Sequence, residues 1–109
     1  MMEPRVHISL LRELYRPLLT PWQDQVLDLY YDQDWSLSEI ARIRAVSRAA
    51  VHSVLKRAEA ILTHYETRLG LLESHRVRNE LVDRMLERLQ EQGMADDHII
   101  LDMLGELRK

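Results

Sequence analysis

Residues 36–57 read SLSEIARIRAVSRAAVHSVLKR, and this stretch decides the fold. Ser36-Leu37-Ser38-Glu39 is a capping box: the serine hydroxyl can accept from the backbone N–H three residues on, and the glutamate can reach back. It opens a short helix through Ile43. Ser47 is the next capping residue. After it Val51, Leu55, Ala58, Leu62, Tyr65 and Leu69 alternate spacings of four and three, which predicts one long helix with a continuous apolar face. In the shorter helix Ile40 and Ala41 point inward, the alanine being small enough for a close crossing. Val46 is expected to plug the turn. Two helices joined by a tight turn, the second one basic, make a helix-turn-helix.

Putting Val51 and Leu55 inside leaves Arg48, Ala49, His52, Ser53, Lys56 and Arg57 facing out. In a major groove, small side chains near a helix start permit close approach and polar ones reach base edges. Arg48, His52 and Ser53 are therefore the expected groove contacts, with Ala49 as the point of approach. Arg42 and Arg57 are the expected phosphate contacts, and Lys56 can serve in either role. The first N–H groups of the long helix can also donate to a phosphate oxygen. Charge supports the assignment. The 109-residue chain carries −3 overall, yet residues 37–57 hold five bases against Glu39 alone. An acidic chain with one basic segment looks like a localised anion-binding surface.

Upstream, Ile8, Leu11, Leu14 or Tyr15, and Leu18 form a helical stripe that Pro17 weakens or ends. Thr20-Pro21-Trp22-Gln23 is a second capping box with proline at the first helical position. It starts a helix with Trp22, Val26, Leu29 and Tyr30 on one face, ending near Tyr31 before a polar connector, Asp32-Gln33-Asp34. Downstream, Gly70 interrupts the long helix and Ser74 offers a fresh cap. Val77, Leu81 and Met85, or alternatively Val82 and Leu86, then face inward with Leu89. Gly93 suits a left-handed helix end, and Asp96 caps a last helix carrying Ile99, Ile100, Met103, Leu104 and Leu107. No stretch has a period of two. The fold class is all-α: residues 1–70 form a helical core containing the helix-turn-helix, and residues 71–109 form a C-terminal helical extension. The apolar stripes of that extension need cover, from the core or from a second copy of the chain, and a homodimer is the expectation.

Other chemistries find little support. Cysteine is absent, which removes disulfides, thiolate metal sites and a cysteine nucleophile. The five histidines never fall at i and i+4, so no metal site is expected. No phosphate-cradling glycine loop exists, no cofactor is expected, and the chain does not read as an enzyme. Asp24, Asp28 and Asp32 recur every four residues as a solvated face. Trp22, Tyr30, Tyr31 and Trp35 read as core filler, since the flanking carboxylates would repel the phosphates of a stacked single strand. Glu3, Arg5, Arg12, Glu13 and Arg16 break up the first twenty residues, so no signal peptide or membrane insertion is expected, and a cytoplasmic location is.

The run Leu19 to Gln23, Leu29-Tyr30-Tyr31, Trp35 to Ala41, Val46-Ser47-Arg48 and Lys56 to Glu59 resembles the YlxM family over roughly residues 8–90. The resemblance implies a helix-turn-helix like region 4 of sigma-70-type factors, with a long recognition helix. It implies a regulatory protein with double-stranded DNA as partner, linked to the signal recognition particle pathway through neighbouring genes for its GTPases. Arg44 stands where relatives usually have an apolar residue, Ala45 where they have glycine or asparagine, and Ala49 where a longer polar residue is expected. A left-handed Ala45 would carry about 1 kcal/mol of strain. The turn could instead be rebuilt with Ile43 turned inward. These departures suit the alternative of an adaptor that docks on the signal recognition particle GTPase or its RNA.

Overall fold

The computed structural model describes residues 3–93 and 98–108, and among them every regular element is helical. The chain divides into two compact units, Met1–Gly70 and Leu71–Lys109.

The first unit is built on four helices. α1 (Pro4–Tyr15) passes into a 3₁₀ turn over Arg16–Leu18, where Pro17 lacks the N–H to continue. That tightening loses the helical phase, so Leu18 is exposed rather than on the buried stripe. α2 (Pro21–Leu27) carries the expected capping box: Thr20 Oγ1 accepts from the Gln23 N–H at 3.2 Å, and Gln23 Oε1 accepts from the Thr20 N–H at 3.0 Å. Asp28–Asp32 then widens into a π turn, closed by the Gln33 N–H donating to the Asp28 carbonyl at 3.0 Å. The wider turn shifts the buried side, so Val26 and Leu27 are fully enclosed while Leu29 and Tyr30 are only half-buried. Of the expected face, Val26 is enclosed, whereas Trp22, Leu29 and Tyr30 are only half-buried and Leu27 takes the inward place.

α3 (Leu37–Arg44) and α4 (Arg48–Leu69) complete the unit. α4 is its axis and packs against α1, α2 and α3. The core joins Leu11 and Tyr15, Val26 and Leu27, Ile40 and Ala41, and Val51, Leu55, Ala58 and Leu62. Each large aliphatic side chain enclosed here contributes about 1.5–3 kcal/mol of transfer free energy. Tyr15 closes one end: its ring stacks on Tyr65 at 6.3 Å between centroids, and its hydroxyl donates to Glu66 at 2.8 Å. Leu69, the last residue of α4, is exposed rather than on the buried face.

In the second unit, α5 (Leu71–Glu91) starts directly after Gly70, whose φ of 62° ends α4. Ser74 therefore sits inside the first turn of α5 and is not its cap. The left-handed glycine closes α4 in one residue and α5 follows at once, so no capping segment precedes it. α6 (His98–Arg108) pairs with α5, and Arg108 bridges to Asp83. Val82 and Leu104 are buried, with Leu86 and Leu89 half-buried. The set Val77, Leu81 and Met85 is exposed, so the alternative register of α5 is the one observed. Gly93 has φ 71°, as a helix end requires. The expected Asp96 cap lies outside the described residues.

Candidate nucleic-acid interface

The helix-turn-helix is assembled from local rules. At the start of α3, Ser36 Oγ accepts from the Glu39 N–H at 3.1 Å and Glu39 Oε1 accepts from the Ser36 N–H at 3.3 Å. At its end Ala45 takes φ 56° and ψ 41°, the left-handed region. The Ala45 N–H donates to the Arg42 carbonyl at 3.3 Å and the Val46 N–H to the Ala41 carbonyl at 3.0 Å. This double closure is a Schellman-type cap. Ser47 then caps α4, its Oγ accepting from the Ala50 N–H at 3.0 Å. The turn is thus intact and tight although alanine occupies the left-handed position.

Ile43 is 63% exposed, so it does not take an inward role. Val46, 43% exposed, is not a buried plug. The left-handed residue closes the turn by backbone hydrogen bonds, and Ile40, Ala41, Val51 and Leu55 already fill the crossing. Arg44 leaves the turn sideways: its guanidinium lies 4.5 Å from the centre of the Trp22 ring and donates to Gln25. A cation over an indole contributes about 0.5–1 kcal/mol at such an exposed site. Replacing Ala45 by glycine removes the left-handed penalty, against some added freedom of the unfolded chain. The expected gain is about 0.5 kcal/mol, seen as a melting temperature a few degrees higher. An unchanged or lower melting temperature would mean that the strain in the turn does not exceed the entropy the glycine adds to the unfolded chain.

Every residue from Arg42 to Ala50 is exposed. Beyond them, Val51 and Leu55 are buried while His52, Ser53, Lys56 and Arg57 face out. The structure therefore brings Arg48, Ala49, His52, Ser53, Lys56 and Arg57 onto one open side of α4, with Arg42 across the turn on α3. Among the described residues no carboxylate pairs with Arg42, Arg48 or Arg57. Lys56 lies 3.4 Å from Glu59. Glu59 also accepts from the Tyr31 hydroxyl; burial first, and then this carboxylate, push the Tyr31 hydroxyl well above its usual range and keep it a donor.

The N-terminal carboxylates are not a solvated face, as the sequence suggested. Arg12, with its side chain only 13% exposed, meets Asp24 at 2.7 Å, Asp32 at 2.8 Å and Asp28 at 3.4 Å. Arg16 meets Asp24 at 3.0 Å, and Arg5 meets Asp34 at 2.8 Å. Partial burial alone would raise the Asp24 carboxyl, but the hydrogen bond and charge of Arg12, helped by Arg16, hold it below its ordinary value. Asp24, Asp28, Asp32 and Asp34 are thus engaged by the arginines of α1 and the turn after it, and Arg42, Arg48 and Arg57 are left to face solvent. Among the described residues no three histidines and carboxylates converge as metal ligands do, and no helix is long and apolar enough to cross a membrane.

A capped short helix, a left-handed turn and a long helix with one bare cationic side define a helix-turn-helix protein. Residues 2–101 match the family model described as "Putative helix-turn-helix protein, YlxM / p13 like", UPF0122. A UPF0122 protein of Clostridium botulinum is 43% identical over 96 residues, covering 88% of each chain. One from Limosilactobacillus reuteri is 41% identical over 105 residues, 96% of this chain and 92% of its own. One from a Geobacillus species is 38% identical over 109 residues, the whole of this chain and 98% of its own. The chain belongs to the UPF0122, YlxM / p13-like family.

Proposed function

We propose that this protein is a non-enzymatic, cytoplasmic regulator that binds double-stranded DNA by laying the start of α4 in the major groove. The observation that carries this reading is the bare side of α4: Arg48, His52, Ser53, Lys56 and Arg57 are exposed beside an intact tight turn. Arg48, His52 and Ser53 read base edges, Ala49 allows the approach, and Arg42 and Arg57 take phosphates, with Lys56 reaching either. With three to five phosphates neutralised, the log–log salt dependence of duplex binding has a slope on the order of −3 to −4.

Pairing of two copies through the second unit belongs to the same proposal. α5 exposes Val77, Leu81 and Met85, and α6 exposes Ile99, Met103 and Leu107, each set four residues apart on one side of its helix. Leu81 and Met85 border a groove of about 570 Å³ rimmed by Arg84, Arg88, Glu87 and Glu91. A rim carrying both signs is self-complementary under a twofold axis. Twofold pairing sets two α4 helices a fixed distance apart, so selection of bound fragments from randomised duplexes should enrich an inverted repeat. Sedimentation at micromolar concentration should give twice the 12.9 kDa chain mass. Enrichment of a single half-site with a 12.9 kDa species would remove the dimer but keep the DNA reading.

The adaptor reading draws on Arg44 and Ala49. Arg44 is held on Trp22 and Ala49 is short, so base-reaching length is lost while positive charge remains. Failure to enrich any motif, together with nuclease-resistant capture of the signal recognition particle GTPase or retention of its RNA, would put docking on that particle in first place.

A further inference from the structure

Between α2 and α4 lies a cleft of about 190 Å³ lined by Thr20, Trp22, Gln23, Ser53, Val54 and Arg57. Ser53 and Arg57 belong to the bare side of α4, and the first three residues bring α2 to its edge. The capping box decides what Gln23 offers there. Its Oε1 is committed to the Thr20 N–H at 3.0 Å, so the free end of the amide is Nε2, which has no partner among the described residues. Arg57 and the Ser53 hydroxyl are exposed and likewise unpaired among the described residues. No carboxylate lines the cleft; the neighbouring Asp24 is held by Arg12 and Arg16. A guanidinium and an amide N–H that border one cleft with no carboxylate in its lining suit an oxygen of a phosphodiester, the Ser53 hydroxyl beside them being left to the base edge.

We propose that this cleft seats a backbone phosphate of the bound duplex and that Gln23 contacts it directly from α2. The proposal rests on the DNA-binding reading above and extends it from one helix to two. A phosphate clamped between α2 and the second and third turns of α4 fixes how α4 is tilted in the groove, a positioning contact that carries no sequence information.

Gln23→Glu is the discriminating variant. It keeps an oxygen for the Thr20 N–H, so the cap and the melting temperature should hold, and it replaces the Nε2 donor with a carboxylate oxygen facing the phosphate. Fluorescence anisotropy with specific and random duplexes should show about a tenfold loss of affinity for both and a salt slope shallower by about one. Val54→Glu, at a half-buried position that lines the cleft and takes no part in the cap or in base reading, should do the same and stands in should Gln23→Glu unfold. If both variants bind duplex like the wild type while Arg48→Ala with Lys56→Ala and Arg57→Ala does not, the cleft is no phosphate site and the DNA reading survives. If the wild type itself does not bind duplex, both fall.

Discussion

Replacing Arg48, Lys56 and Arg57 together by alanine should lower duplex affinity by about two to three orders of magnitude near physiological salt, with the salt slope falling by about two to three. The three side chains are exposed and none is part of the core, so melting should change by no more than about 0.5 kcal/mol. Their shares should differ. Arg48 and Arg57 have no carboxylate partner among the described residues, whereas Lys56 must leave Glu59, 3.4 Å away, to reach a phosphate. Lys56→Ala alone is therefore the mildest of the three. Lys56→Ala and Arg57→Ala should weaken all sequences alike, and Arg48→Ala should also flatten the preference among sequences, because a forked guanidinium near the helix start is the group that reads guanine. A low-salt gel shift in which the triple variant matches the wild type would end the regulator reading.

The second large effect is on stability. Arg12→Ala should cost about 2–3 kcal/mol in urea unfolding, since it takes the one part-buried guanidinium away from three carboxylates and leaves Asp24 to Arg16 alone. The upper end of the range for a broken buried pair is not reached, because Asp28 and Asp32 keep contact with water. The pH dependence gives an independent check. The Asp24 carboxyl lies below its ordinary value of 3.8 in the folded protein, so its contribution is complete above that value. It is lost as pH falls through the lower folded value and the proton binds. Wild-type stability should decline below about pH 4 by this route, and Arg12→Ala should show a markedly shallower decline over the same window. Equal acid profiles for the two proteins would mean that Arg12 does not hold Asp24 down.

The parts of this molecule legible in its sequence are those set by neighbours a few residues apart. Thr20 with Gln23 and Ser36 with Glu39 announce helix starts through reciprocal pairs of hydrogen bonds and Ser47 through a single one, and Gly70 and Gly93 announce helix ends through their missing Cβ. The inward set Val51, Leu55, Ala58 and Leu62 follows from periodicity alone, and with it the outward set. What stayed hidden depends on partners distant in the chain. Asp24, Asp28 and Asp32 look like a solvated face until folding places Arg12 against all three. The π turn at Asp28–Asp32 gives no local signal, so periodicity places Val26 inside but gives no hint that Leu27, rather than Leu29 and Tyr30, is enclosed beside it. Arg44 looked like a flaw at an inward position because its seat, the Trp22 ring, belongs to another helix. Gln23 was visible as a capping residue, but its spare amide nitrogen gained meaning only once Ser53 and Arg57 were seen across the cleft.

The uninterrupted exposure of residues 42–50 has a consequence for how such proteins diverge. Ile40 and Ala41 anchor the chain on one side of this run and Val51 and Leu55 on the other, so within it the positions other than Arg44, Ala45 and Ser47 answer to solvent rather than to packing. Exchanges at Arg42, Ile43, Arg48 or Ala49 leave the folded population almost untouched while rewriting what is presented outward. One scaffold can therefore acquire new targets through single substitutions, without passing through an unstable ancestor.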